Sequence, residues 1–177
     1  MKKVVVLMAL LSCMYPVLAE EYKTITCYEL GGLEKVLPKE ELRAITHLKL
    51  VGNINNLDLQ YVSAAVTEWN GLQVLDLKET GVSIINNCFC KNESLDEVRL
   101  PQMCTNIYSS FCNSSIKRIN LGQIKEFYCS FKSCPQLDSI GEISTGNIYD
   151  SFVGCPIDSV ALSNQVTEIY GYSFRDC

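Results

Sequence analysis

Hydrophobic positions recur along the second half of the chain with a period of about twenty residues. A phenylalanine marks each period, at successive separations of 22, 20, 21 and 22 residues. A small residue precedes each phenylalanine, and the apolar pattern Leu-x-x-Ile-x-Leu follows several of them. The five positions are Phe89, Phe111, Phe131, Phe152 and Phe174. Such self-similarity at a fixed period is typical of stacked units that bury a shared core.

The apolar pattern after each phenylalanine predicts a short strand. Its last apolar positions alternate with polar ones, as expected for a strand with one buried face. The segments 45–50 and 72–77 carry the same pattern and extend the sheet to about six strands. One unit cannot bury its own apolar side, so the units must stack. We therefore predict an α/β to mostly β fold, a right-handed leucine-rich-repeat solenoid with a parallel sheet on its concave face.

Segments outside the repeat pattern predict the ends of this solenoid. A helix is expected over 58–69, because its apolar residues share one face, with Asp58 as its N-cap. Residues 20–44 are expected to form a short N-terminal cap over the first core layer. The solenoid then spans 45–177, and its C-terminal repeat is incomplete at Cys177. An open final coil predicts fraying, end-to-end self-association or an incomplete copy of a longer protein.

The N-terminus has the features of an export signal. Two lysines precede an apolar run at 4–11 that is too short to span a bilayer. Cleavage after Ala19 makes residues 1–19 a signal peptide, whereas a lipobox interpretation makes Cys13 a lipidated residue. We favour cleavage after Ala19, because the usually small lipobox position holds Leu11. Neither site leaves a transmembrane span.

Charge and residue counts narrow the function classes. The chain has 15 Lys and Arg against 20 Asp and Glu, a net charge of −5, and cleavage after Ala19 makes it −7 by removing two lysines. No basic block can neutralise a phosphate backbone, so nucleic acid is not expected as a partner. The chain has ten cysteines but a single histidine, His47. We therefore expect a binding surface without a cofactor rather than an active site.

Two stretches of the repeat resemble a known family. Residues 127–135 and 149–156 both contain Tyr-x-Ser-Phe-x-x-Cys-Pro. In these motifs the chain resembles the BspA-like leucine-rich repeat surface proteins of Bacteroides-type bacteria, and the resemblance extends over about residues 24–177. It implies an exported, non-enzymatic adhesion or protein-binding module that is secreted, periplasmic or on the cell surface, with lipoprotein anchoring as one mode of attachment. It implies no catalytic residues.

Two surfaces are candidates for ligand contact. Side chains between the apolar strand positions point away from the core and are expected to form the concave face. These concave-face residues are Val74, Asp76, Glu97, Arg99, Arg118 and Asn120. A second surface is a stripe of outward-facing tyrosines at Tyr108, Tyr128, Tyr149 and Tyr170. Exposed tyrosines can serve recognition, but their more frequent role is to stack on each other and cover the surface.

The repeat register separates structural cysteines from a disulfide candidate. Cys134, Cys155 and Cys177 share one repeat position and predict a buried ladder of thiols that act as small hydrophobes. Cys90 and Cys112 follow successive phenylalanines, and adjacent strands lie about 4.8 Å apart, within the Cα separation of a disulfide. We predict a Cys90–Cys112 disulfide, with two exposed free thiols as the alternative. The cysteine spacings do not match zinc sites, so no metal is predicted.

The expected function is non-enzymatic binding outside the cytoplasm. The expected ligand is a protein, either host extracellular or bacterial surface, and a glycan is the alternative. A second interpretation is a structural spacer or a truncated repeat protein without a ligand of its own. A third is a thiol-dependent enzyme, which would need a reactive thiolate close to His47.

Overall fold

The repeats contribute short strands to two parallel sheets. The computed structural model describes residues 22–69, 71–144 and 146–177, so the predicted signal segment and Cys13 lie outside the described residues. In chain order the elements are β1 (Lys23–Cys27), α1 (Leu33–Val36), α2 (Lys39–Leu42), β2 (His47–Gly52), α3 (Asn56–Trp69), β3 (Val74–Thr80), β4 (Ile84–Asn86), β5 (Glu97–Arg99), β6 (Asn106–Tyr108), β7 (Arg118–Ile119), β8 (Glu126–Tyr128), β9 (Glu142–Ile143), β10 (Gly146–Tyr149), β11 (Ala161–Leu162) and β12 (Val166–Tyr170).

Equivalent repeat positions lie side by side in these sheets. The first sheet has the strand order β1-β2-β3-β5-β7, and the second has β4-β6-β8-β10-β12. Every pairing is parallel, including that of the separate pair β9 and β11. Val98 aligns with Ile119 in the first sheet, and Ile107 aligns with Phe127 in the second. The predicted stack of parallel strands is confirmed.

The number of sheets differs from the prediction. One sheet of about six strands was expected from the pattern, whereas the structure has two five-stranded sheets and one pair. The first sheet ends at β7, which is joined to the next coil by a single bridge between Arg118 and Ser139. Gly141 has a φ of +70° close to this break. A left-handed conformation is incompatible with a regular strand, so the sheet cannot continue through this position.

The phenylalanines form one continuous column through the core. Successive rings from Phe89 to Phe174 stack with centroid separations of 5.4, 5.2, 5.4 and 5.3 Å. The first four side chains of the column are fully buried. Burial of each ring contributes roughly 1.5–3 kcal/mol relative to exposure. The prediction that these side chains lie directly over one another is therefore confirmed.

The first three phenylalanines of the column have left-handed backbone conformations. Phe89, Phe111 and Phe131 have φ values of 61°, 63° and 58°. This conformation costs a residue with a side chain about 1–2 kcal/mol, which burial of the ring offsets. The small residue before the ring is also buried, and the Ser110 hydroxyl donates to Tyr108 O at 2.8 Å. A larger side chain at that position would compete with the column for space.

Helix α3 begins two residues earlier than predicted, and Asp58 is not its N-cap. Asn55 has that role, because its Oδ1 accepts the N–H groups of Leu57 at 2.9 Å and Asp58 at 3.2 Å. The buried Asp58 carboxylate instead accepts the N–H groups of Gly31 and Leu33, both at 2.9 Å. Asp58 therefore fastens the start of α1 to α3.

Side chains of α3 also cover the first strand of the second sheet. Asn56 Nδ2 donates to Asn86 O at 3.0 Å, and Asn86 N donates to Asn56 Oδ1 at 2.8 Å. Ser63 Oγ accepts the Phe89 N–H at 2.6 Å. These polar side chains occupy the place of a preceding strand and satisfy the backbone groups of the sheet edge.

The segment before β2 packs on the same core. It forms β1, α1 and α2, and its side chains Leu33, Leu37 and Leu42 are buried. Strand β1 pairs with β2 and forms one edge of the first sheet. In the described part of the chain, no helix combines the length and the apolar composition that crossing a bilayer requires.

Candidate functional site

A groove runs along β5 and β7 of the first sheet. Its cavity volume is about 940 Å³, which lies within the range of ligand sites. Four of the six predicted concave-face residues line it: Glu97, Arg99, Arg118 and Asn120. The parallel register places Glu97 beside Arg118, with the buried Val98 directed to the other side of the sheet. Strand alternation therefore brings these charged side chains together on one face.

Glu97 lies at the centre of the charged part of the groove. Its Oε1 is 2.6 Å from Arg99 Nε, and its Oε2 is 3.0 Å from Arg118 Nη2. Arg99 Nη1 also lies 3.8 Å from Asp76 Oδ2. Burial alone would raise the pKa of Glu97, but the hydrogen bonds from the two guanidinium groups outweigh it and lower the pKa. Glu97 is therefore ionised at neutral pH and holds both arginines at the groove.

The predicted concave-face residues Val74 and Asp76 do not line the groove as described. They are only 5% and 8% exposed. The ring of Tyr22 contacts His47 on β2 at 5.4 Å and lies 5.4 Å from Arg99 Cζ on β5. Because β3 lies between β2 and β5, the ring of Tyr22 lies over β3, the strand that contains Val74 and Asp76.

The remainder of the groove is polar and uncharged. Asn120 Oδ1 accepts the Gly122 N–H at 3.0 Å, which leaves Nδ2 as a donor. Gly122 and Gly141 place no side chain here, and a Cβ on either would lie 3.3 Å from Asn120 Oδ1. Ser139 and Gln123 add a hydroxyl and an amide to the lining. This half of the groove therefore offers hydrogen bonds to a ligand backbone.

Three residues of the predicted tyrosine stripe form an aromatic face on the second sheet. Tyr149 and Tyr170 stack with centroids 4.6 Å apart and an interplanar angle of 3°. Tyr128 lies 6.2 Å from Tyr149 at a tilt of 50°. Tyr128 is 52% exposed and Tyr170 is 38% exposed. The rings therefore contact each other and still present area to solvent.

Tyr108, the first residue of the stripe, takes part in a polar contact. Its hydroxyl donates to Glu126 Oε2 at 2.6 Å, and Asn106 Nδ2 donates to the same oxygen at 3.0 Å. Burial and the hydrogen bond to Glu126 raise the pKa of Tyr108. This hydrogen bond fixes the hydroxyl of Tyr108 against the neighbouring strand.

Cys90 and Cys112 lie beside each other on adjacent coils. Both are half-buried free thiols: Cys90 Sγ donates to Ser109 O at 3.2 Å, and Cys112 Sγ donates to Cys129 O at 3.0 Å. Lys91 N donates to Cys112 O at 2.8 Å, which holds the two coils in register. The contact with Cys112 lowers the pKa of Cys90 to about 6 and raises that of Cys112. The predicted disulfide is not formed in this structure and stays a prediction for the oxidised protein.

The predicted cysteine ladder follows the phenylalanine column. Cys134 Sγ donates to Phe111 O at 2.9 Å, and Cys155 Sγ donates to Phe131 O at 2.9 Å. Both thiols are buried, which confirms the ladder at these positions, whereas Cys177 is exposed. Each buried thiol satisfies a carbonyl group of the preceding coil.

The phenylalanine column extends through every coil from Phe89 to Phe174. A model of the BspA type leucine rich repeat region matches six copies over residues 60–177, well over half of the chain. The chain belongs to the BspA-type leucine-rich repeat family. Members of this family are generally interaction modules rather than enzymes. No curated protein and no solved structure matches the chain.

Several groove residues of this BspA-type protein, among them one lysine and two glutamines, did not follow from the strand pattern. Lys78 lies two positions beyond Asp76 in β3, and Gln102 and Gln123 follow β5 and β7. Extending the alternation along β3 by two positions would have found Lys78. The glutamines lie in turns, where alternation does not apply, but they share one repeat position, two residues after Leu100 and Leu121, so the repeat register would have placed them together.

The enzyme interpretation depends on a thiol near His47. His47 lies on β2, where its Nδ1 is 3.0 Å from Thr46 Oγ1. Cys90 follows β4 of the second sheet, so this thiol and the imidazole belong to different sheets. Burial raises the pKa of Cys88 and of Cys104 to about 12, which makes both thiols poor nucleophiles at neutral pH.

Proposed function

We propose that the chain is an extracytoplasmic, non-enzymatic module that binds a segment of a partner protein in the groove of its first sheet. The observation that carries this proposal is the cavity of about 940 Å³ lined by Glu97, Arg99, Arg118 and Asn120. Membership of a family of interaction modules that are typically secreted or on the surface supports it. The groove is built on paired strands, so little ordering of the site is required when a ligand binds.

Photo-crosslinking from the groove tests this function. A benzophenone amino acid replaces Asn120 in the groove, and the matched control carries it at Lys132, an exposed position outside the groove lining. Both proteins are mixed with host extracellular proteins and with bacterial surface proteins. Adducts from position 120 that unmodified protein competes away, without adducts from position 132, support the proposal. If the protein is a structural spacer, no specific adduct is expected at either position. That result would contradict the proposed binding function.

The tyrosine face of the second sheet is a second candidate surface. The stacked and partly exposed rings of Tyr128, Tyr149 and Tyr170 favour it. Replacement of Tyr128 and Tyr149 by serine distinguishes a role of this face in partner recognition from a role in covering the sheet. Loss of partner capture with an unchanged melting temperature supports recognition by tyrosines. A lower melting temperature with capture retained supports a covering role.

Export from the cytoplasm is part of the proposal. Signal cleavage after Ala19 would place the mature N-terminus at Glu20, whereas lipidation would place it at an acylated Cys13, and the mass of the exported protein distinguishes the two.

Residues 20–44 cap the solenoid in this proposal, supported by the burial of Leu33, Leu37 and Leu42 on its core.

A further inference from the structure

The groove on the first sheet carries an excess of positive charge on an acidic protein. Its charged lining consists of Lys78, Arg99 and Arg118 against the carboxylate of Glu97, and Asp76, outside the lining, lies 3.8 Å from Arg99 and leaves a net positive charge. The whole chain, by contrast, has a net charge of −5. Cationic side chains that line a concave site attract anionic ligands and raise their local concentration. The charge of the groove therefore complements an acidic ligand.

The two arginines of the groove already bind one carboxylate, that of Glu97. Its Oε1 accepts Arg99 Nε–H at 2.6 Å, and its Oε2 accepts the Nε–H and Nη2–H of Arg118 at 3.2 and 3.0 Å. A guanidinium group has five N–H donors, so Arg118 keeps further donors for a second carboxylate. The Arg118 side chain is 62% exposed, whereas that of Glu97 is 18% exposed. A ligand can therefore reach Arg118 directly from solvent.

The uncharged half of the groove suits a polypeptide rather than a small anion. Asn120 Nδ2, Gln102, Gln123 and the Ser139 hydroxyl supply donors and acceptors beside the arginines. Gly141 leaves the floor without a side chain. A main chain can approach this part closely while an acidic side chain reaches the guanidinium groups.

We propose that the groove binds an acidic polypeptide segment whose carboxylates take over contacts that Arg99 and Arg118 make with Glu97. This inference rests on the proposed function and names the chemistry of its partner. In the free protein, Glu97 holds the two guanidinium groups in place and competes with the ligand for them. Removal of the Glu97 charge therefore strengthens binding, and removal of the Arg118 charge weakens it.

Fluorescence anisotropy with a labelled hexaglutamate peptide at low ionic strength tests this inference, because salt screens such contacts. Arg118→Gln is expected to weaken binding at least about tenfold, and Glu97→Gln is expected to tighten it about threefold or more. Lys132→Gln loses the same charge as Arg118→Gln at an exposed site outside the groove lining, and its affinity should equal that of the unmodified protein. A labelled hexaglutamine peptide is expected to bind at least about tenfold more weakly than hexaglutamate.

Several results would overturn the inference. If Arg118→Gln and Lys132→Gln weakened hexaglutamate binding equally, the binding would reflect general charge attraction. If Glu97→Gln bound hexaglutamate more weakly than the unmodified protein, Glu97 would not compete with the ligand. Binding of heparin without binding of hexaglutamate would assign the groove to a glycan. Circular dichroism checks that Arg118→Gln is folded, and Arg118→Lys, which keeps the charge, should show intermediate affinity. Specific crosslinks from position 120 without hexaglutamate binding would retain the proposed function and reject only the acidic partner.

Discussion

Phe111 and Phe131 stack with ring centroids 5.2 Å apart and ring planes 1° from parallel. Phe131 also stacks on Phe152 at 5.4 Å, so its ring fills the space between two coils. Replacement of Phe131 by alanine leaves a cavity with a ring on each side, and we expect it to lower the free energy of unfolding by about 3–5 kcal/mol. Urea denaturation followed by far-ultraviolet circular dichroism measures this loss.

Tyr128→Ala is the matched control, because it removes a ring of similar size from the half-exposed face of the second sheet. We expect it to cost no more than about 1.5 kcal/mol. Phe131→Leu keeps most of the side-chain volume and should lie between the two. Equal losses from Phe131→Ala and Tyr128→Ala would contradict a core built on the phenylalanine column.

The phenylalanine column could be predicted because one large apolar side chain returns at nearly constant spacing. The second sheet could not, since strands such as β6 and β8 each contain a single buried residue, Ile107 or Phe127, whereas the pattern that predicts the first sheet has three apolar positions. Asp58 was assigned the wrong role because Asn55 and Asp58 are both favourable N-cap residues. Only the tertiary contact of Asp58 with Leu33 separates them.

The concave face expected from the sequence overlaps the groove lining only in part. Glu97 and Arg118 follow from strand alternation, which is a local property of the sequence. The burial of Val74 and Asp76 depends on the path of the preceding segment, which places Tyr22 over β3. No local pattern encodes a contact between Tyr22 and strands that follow it so much later in the chain.

Asn56 is expected to stabilise the sheet edge. Asn56→Ala removes both hydrogen bonds to the backbone of Asn86, and we expect a loss of about 1–3 kcal/mol in the free energy of unfolding. Hydrogen exchange should show faster exchange at the Asn86 amide than in the unmodified protein. Leu57→Ala is the control, because Leu57 is the next residue of α3 and is 66% exposed. Similar exchange at the Asn86 amide in both variants would contradict the edge-covering role.

Oxidation is expected to join Cys90 and Cys112. In exchange with oxidised glutathione, the two thiols lose two protons and two electrons, the new S–S bond forms, and glutathione is reduced. Closing this loop should stabilise the protein by about 3 kcal/mol. Mass spectrometry should find a decrease of about 2 Da and a peptide pair linked through these residues. The lowered pKa of Cys90, about 6, predicts that the exchange already proceeds at neutral pH.

Cys90→Ser separates this bridge from other pairings. It should abolish both the linked peptide pair and the gain in stability on oxidation. Cys155→Ser alters the buried ladder instead and should leave the Cys90–Cys112 link intact. A dominant link between Cys134 and Cys155 in the unmodified protein would contradict the prediction.

The ion cluster at Glu97 predicts a loss of stability in acid. Hydrogen bonds from Arg99 and Arg118, which outweigh the effect of burial, place the folded-state pKa of Glu97 below its ordinary value of 4.5. The unfolded chain therefore binds this proton more readily. The contribution of Glu97 is fully present above the unfolded-state pKa and is lost as the pH falls from about 4.5 through the folded-state pKa. Urea midpoints at about pH 6, 5, 4 and 3 measure this dependence.

Glu97→Gln removes the titrating group and nearly keeps its shape, so its stability should fall less between about pH 5 and pH 3 than that of the unmodified protein. Glu93→Gln removes the same charge from an exposed position and should follow the unmodified protein. Because both variants change the net charge equally, a difference between them reports the contacts of Glu97 rather than the overall charge. If the urea midpoints of the two variants fell equally with decreasing pH, the arginines would not stabilise the Glu97 carboxylate.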